Sequence, residues 1–199
     1  MKQEKKIAKD PIKLDIACGQ RKQPGFVGID IAKCEGIDIV HNLNHYPWPV
    51  ADNSVSEAHC SHYVEHIPLA YWNPGNTYSP EMKNAKSVDA LCKYFEEVHR
   101  ILVPGGKLTI IAPYYNNQRC WQDPTHRRAI CDSTFYYVSK DWRKANGLDH
   151  YGMSCDFEAV WGYGMDPCLE GRNEEYRAFA VRHYTNVISD IHAHLTKKK

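Results

Sequence analysis

Eight residues, Cys18 to Gly25, separate the first two apolar runs of this chain, and that spacing limits what it can fold into. The runs, residues 12–17 (IKLDIA) and 26–30 (FVGID), read as short strands bounded by Cys18-Gly19 and Pro24-Gly25. Parallel neighbours ordinarily need a crossover of about a dozen residues or more, usually a helix. Eight residues leave room for about one turn, so the first crossover is expected without its helix. A dinucleotide site uses the N-terminus of that helix and a G-x-G-x-x-G motif to hold pyrophosphate. Here Ala17-Cys18-Gly19 is followed by no glycine until Gly25. The connection therefore argues against NAD and suits a nucleoside ligand without phosphates.

Further strands are expected at residues 37–40, 56–61, 107–112, 157–161 and 188–196. One helix is expected from a cap at Ser79-Pro80-Glu81 to the stop at Pro104-Gly105. Met82, Ala85, Val88, Leu91, Phe95, Val98 and Leu102 recur along it at spacings of three and four. A second is expected from Asn173 to about His183, with Tyr176, Phe179 and Ala180 facing inward. Strands alternating with crossovers indicate an α/β sheet, mostly parallel. Residues 1–11 read as a flexible arm and 12–199 as one domain. Within it, residues 119–175, rich in aromatics and glycines, read as a substrate-selecting cap before the last strands.

Composition narrows the function. The 199 residues carry 25 Lys+Arg and 24 Asp+Glu, a net charge of +1. That balance argues against nucleic acid or an acidic membrane surface as the general partner. No apolar run approaches the ~18 residues of a membrane span. The N-terminus lacks the apolar core of a secretion signal. The eight cysteines form no C-x-x-C pair, so they are expected to be reduced thiols in a cytoplasmic protein. The 11 histidines and 13 tyrosines stand out for a chain of this length.

In open α/β sheets ligands sit beyond the C-terminal strand ends. Strand one ends on Asp15-Ile16-Ala17-Cys18-Gly19, strand two on Asp30, strand three before Asn42-Leu43, and strand four on Ser61-His62-Tyr63-Val64-Glu65-His66. A carboxylate at the end of strand two is what a ribose needs, because it accepts from both hydroxyls. Gly19 lets a ligand approach the backbone.

Five segments in order resemble the Rossmann-like (class I) S-adenosylmethionine-dependent methyltransferases, particularly their small type 11-like members. They are LDIACG (Leu14 to Gly19), GFVGIDI (Gly25 to Ile31), HNLNHYPWPVADNSV (His41 to Val55), HYVEHI (His62 to Ile67) and FEEVHRILVPGGKL (Phe95 to Leu108). The resemblance implies a Rossmann-like, doubly wound sheet, S-adenosylmethionine as cofactor and methyl transfer to an O or N of a small or medium polar acceptor. It implies that Asp15, Ala17, Cys18 and Gly19 line the methionine portion and that Asp30 binds the ribose. Ile31, Asn42 and Leu43 would meet adenine, and Ser61 the methionyl amine. Arg100 and Pro104-Gly105-Gly106 would be structural. Asn42 stands where the family usually has Asp.

A hydroxyl or protonated-amine acceptor also needs a base near neutral pKa. His126 and His66 are the candidates. Asp123 accompanies them, as a helix cap before Pro124 or as part of the site. His59, His62 and His66 bracket the end of strand four, but no acid or thiol completes a recognised metal spacing, so no metal is expected. Trp48, Tyr63, Tyr114, Tyr115 and Trp121 could wall the cleft. Two other readings stay open: a non-catalytic S-adenosylmethionine-binding protein, and a nucleic-acid base methyltransferase. The second wants a D-P-P-Y-like tetrad, which Ser61-His62-Tyr63-Val64 lacks.

Overall fold

The computed structural model describes residues 10–69 and 89–199. One sheet holds seven strands: β1 (Ile12–Ile16), β2 (Val27–Asp30), β3 (Ile39–Val40), β4 (Val55–Ser61), β5 (Leu102–Pro113), β6 (Phe157–Met165) and β7 (Ile188–Lys197). Their order is β3-β2-β1-β4-β5-β7-β6. β1 to β5 run parallel, and β7 is antiparallel to both β5 and β6. This is the mostly parallel α/β sheet that the alternating pattern predicts.

Period-two alternation gives the sheet two unlike faces. Leu14, Ile16, Ala58, Cys60, Leu108, Ile110, Ala193 and Leu195 share one face and are fully buried. Helix α1 (Ala90–Ile101) adds Tyr94, Phe95, Val98 and Ile101 to this core. On the opposite face, register aligns Lys13, Glu57, Lys107, Thr196 and Glu158 in one row. Lys13, Lys107, Glu158, Val160 and His194 are exposed there.

Helix α1 begins later than the periodicity suggests. Asp89 has extended backbone, and its carboxylate accepts from the amides of Leu91 and Cys92, the capping pattern that starts a helix. The three- and four-residue spacing continues past this break, which is why it reads as one helix. The expected cap at Ser79-Pro80-Glu81, with Met82, Ala85 and Val88, lies outside the described residues. Helix α3 (Glu174–His183) starts at its Asn173 cap as expected. Of the three residues expected inward, only Ala180 is buried. Phe179 packs on His183 and Tyr184, and Arg172 covers Tyr176, so these rings satisfy one another at the surface.

Between β5 and β6 the chain forms short turns and helix α2 (Lys140–Ala145). They gather around the buried Arg143, whose guanidinium donates to the carbonyls of Tyr137, Met153 and Cys155. Phe135 stacks toward Trp161, and Phe157 meets His99 of α1. The range expected as a cap therefore contains sheet strand β6 as well as this layer. No described helix is long and apolar enough to cross a membrane.

The β1–β2 connection carries no helix, as its length requires. Carboxylates hold its backbone instead. The Gly19 amide donates to Asp30 (2.9 Å), the Gln23 amide to Asp15 (2.7 Å) and the Gly28 amide to Asp38 (2.7 Å). Lys22 also pairs with Asp38 at 2.7 Å. The loop folds back over β2 at Gly28, where an added Cβ would sit 2.7 Å from Cys18 Sγ and 2.8 Å from Lys22 Cδ. Gly28→Ala should therefore cost about 1–3 kcal/mol, the usual range for overpacking. Urea denaturation should show that loss, and the Gly28→Ala/Cys18→Ala pair should regain part of it.

Candidate functional site

Two cavities lie at the C-terminal strand ends and share Ala17. The larger, about 560 Å³, is lined by residues that include Asp15, Cys18, Gly19, Arg21, Ser61 and His62. The smaller, about 160 Å³, is lined by Asp30, Ile31, Asn42, Leu43, Asn44 and Tyr63 with Ala17. The nine residues expected at a cofactor site thus divide between them: Asp15, Cys18, Gly19 and Ser61 on one side, Asp30, Ile31, Asn42 and Leu43 on the other, and Ala17 at the junction. Ala17 adopts the left-handed region at φ 55°, uncommon for a residue with a side chain.

The two strand-end carboxylates are already engaged. Asp15 is 2 % exposed. One of its oxygens accepts from Gln23, and the other lies 2.9 Å from His59 Nδ1, fixing the proton on that nitrogen. Asp30 accepts from the amides of Gly19 and Ala32. Each carboxylate oxygen can accept a second bond, so both can still receive a ligand. With the Gly19 and Gln23 amides given to carboxylates, they are not available to cradle a phosphate. Asn42 accepts from the Asn44 amide, shaping the turn beneath the small cavity.

The candidate base residues come together from distant parts of the chain. His66 ends the turn Val64–His66 after β4. His126 lies in the loop after β5, and the two rings meet edge to face with centroids 4.6 Å apart. No helix opens at Pro124: Asp123 caps a tight turn, accepting from the Thr125 amide and hydroxyl. These bonds hold the Asp123 carboxyl below its usual range. Thr125 Oγ1 donates to Asp123, so it accepts from His66 Nδ1 at 3.0 Å. His126 Nδ1 lies 2.8 Å from the Cys120 carbonyl, which only accepts, so the proton sits on Nδ1. Both rings keep Nε2 as the nitrogen with an available lone pair. Asp123 Oδ2 lies 3.9 Å from His126 Nε2.

Sequence reasoning gave no role to several neighbours. His62 lines the larger cavity and lies 3.4 Å from Glu65 and 4.0 Å from Asp190. Bonding to Glu65 raises its pKa, burial opposes this, and the charge of Asp190 adds to the rise. Arg119 pairs with the other Asp190 oxygen at 2.7 Å. Glu65 stands inside the HYVEHI segment, flanked by Val64 and His66, and its only signal there is an acid beside a histidine. The aromatics do not form one wall. Trp48 is core, stacked on Tyr46 and tilted against Tyr94, whereas Tyr63 lines the small cavity. Tyr114 and Tyr163 share Asp132, and Trp121 is 68 % exposed.

No protein-family model and no curated protein sequence matches this chain. Its fold is similar to three solved structures. A SAM-dependent methyltransferase from Archaeoglobus fulgidus is 16 % identical, with 96 % of this chain and 87 % of that one covered and a TM-score of 0.57. One from Methanosarcina mazei is 14 % identical, with coverage of 95 % and 93 % and a TM-score of 0.51. An S-adenosylmethionine-dependent methyltransferase from Mesorhizobium loti is 11 % identical, with coverage of 96 % and 92 % and a TM-score of 0.50. The chain therefore has the Rossmann-like fold of the class I methyltransferases.

Cys18 is a wall of the larger cavity, not a nucleophile. Burial pushes its thiol up to about 11, and the charges of Asp15 and Asp30 add to the rise. Its thiolate fraction at pH 8 should lie about a hundredfold below that of an ordinary thiol. Mass-resolved alkylation should show a Cys18 rate still climbing steeply above pH 10, where an ordinary thiol has levelled off. A plateau by about pH 10 would contradict this.

Proposed function

We propose that this protein is an S-adenosylmethionine-dependent methyltransferase that methylates an O or N of a small or medium polar acceptor. The observation that carries the reading is the paired cavity: a smaller chamber beside Asp30 and a larger one beside Asp15, meeting at Ala17. Asp30 would bind the ribose, with Ile31, Leu43 and Asn42 against adenine. Asp15, the backbone at Ala17 to Gly19, and Ser61 would hold the methionine end. Bound there, S-adenosylmethionine supplies an electrophilic methyl on a sulfonium. An in-line displacement then depends mainly on how the acceptor is positioned. His66 and His126, steadied by Thr125, the Cys120 carbonyl and Asp123, would activate that acceptor through their Nε2 lone pairs. A near-neutral chain suits such a substrate better than bulk nucleic acid.

Calorimetry with S-adenosylhomocysteine tests the donor half. Asp30→Ala should weaken binding roughly 10- to 100-fold, since a bond to a charged group contributes about 1.5–3 kcal/mol. Asp30→Asn, which can still accept from Gly19, should weaken it less. Absence of binding at millimolar ligand would sink the reading. Transfer of labelled methyl to a panel of polar small molecules tests turnover. His126→Gln should lower kcat about 10²- to 10⁴-fold with ligand affinity unchanged. Normal binding without transfer to any acceptor would favour a non-catalytic binding protein.

A further inference from the structure

Glu65, His66 and His126 each place a ligand atom within 4.8 Å of the other two. None of the three lines either cavity, although His62 of the same segment lines the larger and Tyr63 the smaller; three independent features describe the cluster. First, Glu65 is fully buried, and among the described residues neither carboxylate oxygen has a hydrogen-bond partner of ordinary geometry; the contact that raises the His62 pKa is the long one from His62 Nδ1 to Oε1, at 3.4 Å. A buried carboxylate left so poorly matched is costly unless a cation meets it. Second, each histidine has its Nδ1 proton tied to an oxygen, Thr125 Oγ1 for His66 and the Cys120 carbonyl for His126. This is how metal-bound imidazoles are held, with the outer bond fixing the tautomer and aiming the other nitrogen. Third, backbone joins the halves: the amides of Arg127 and Arg128 both donate to the Glu65 carbonyl, at 2.7 and 3.2 Å. Arg128 adds bonds to the carbonyls of Ile67 and Pro68 and to Asp89.

We propose that Glu65, His66 and His126 form a binding site for a divalent transition-metal ion, with Zn²⁺ the ion their chemistry suits best. Two imidazoles and one carboxylate are a borderline set that suits zinc or iron(II) and disfavours the hard ions Mg²⁺ and Ca²⁺. Four-coordinate zinc at its usual bond lengths holds ligand atoms roughly 3.4 Å apart. The three ligand atoms lie within 4.8 Å of one another, so binding would draw them together by up to about 1.4 Å. Three protein ligands leave one position open, as in catalytic sites. Asp123 lies 3.9 Å from His126 Nε2. With the ion bound, both histidines would be ligands and no longer free bases, and the ion would take over activation: an acceptor oxygen at the open position would lose its proton to solvent more readily beside the ion. That role rests on the methyltransferase reading; the site itself does not. The missing acid that kept the histidines after β4 from reading as a metal set is Glu65, and the second imidazole comes from His126 instead of His59 or His62.

Cobalt(II) titration of the chelator-stripped full chain tests the site. Expected are one equivalent bound and visible d–d bands of nitrogen and oxygen ligation, without the thiolate charge transfer that cysteine binding would give. Glu65→Gln and His126→Gln, checked for folding by circular dichroism, should each weaken binding at least about 100-fold. That is the upper end of what outer-sphere losses cost. Thr125→Val, which frees His66 Nδ1, should weaken it about 10- to 100-fold. The proposal is overturned if cobalt gives no d–d bands, gives only thiolate bands, or binds equally to all three variants. His62 would then be the sole partner of Glu65. S-adenosylhomocysteine binding is measured on the same samples. Cobalt binding without it would sink the methyltransferase reading and leave the site standing; the reverse result would remove only the site.

Discussion

A backbone amide with no helix to enter must find another acceptor, and in the β1–β2 connection the acceptors are carboxylates. Asp30 and Asp15 receive the amides of Gly19 and Gln23, and Asp38 receives that of Gly28 within β2. Much of the strand-end architecture rests on these bonds. Asp15 is left buried between Gln23 and His59, beside Ala17 in its left-handed turn. The bonds also consume amides that in a longer crossover would face a phosphate. Here the length of one connection removes a phosphate cradle.

The same economy shapes the sheet. Because the first crossovers are short and carry no helix, the apolar residues concentrate on one face, against α1 and the layer built around Arg143. Arg100 fastens α1 to the β3–β4 connection by donating to Val50 and Trp48 carbonyls and pairing with Glu97 and Asp52. Glu97 in turn accepts from the Trp48 amide at 2.6 Å. The implied structural role of Arg100 thus has a physical basis in the Val50 carbonyl, and in the Trp48 carbonyl that it shares with the Val50 amide.

Local rules made much of this legible. Apolar runs and Gly/Pro punctuation located the strands to within a few residues, and counting from Cys18 to Gly25 removed the first helix. Strand-end residues such as Asp30 and Asn42 were visible because topology alone places them at the C-terminal strand ends, where the small cavity lies. What stayed hidden depends on long-range packing. A period of three to four cannot show that Asp89 interrupts it. Rings such as Phe179 read as core until their neighbours prove to be other surface rings. Glu65 looks like an ordinary acid in a turn, and only the Arg127 and Arg128 amides, sixty residues on, bring His126 to it.

The lengths of the strands carry a consequence for motion. From β5 toward the β3 edge, β5, β4, β1, β2 and β3 have twelve, seven, five, four and two residues. The smaller chamber therefore opens on the margin of the sheet with the fewest ladder bonds. Local opening needs least free energy where such bonds are few, and a ligand that binds only the closed form stabilises it by mass action. A nucleoside seated beside Asp30 and Leu43 would complete the packing of this thin margin, so that amide exchange in β2 and β3 would report occupancy while the long β5–β7 pair stayed silent.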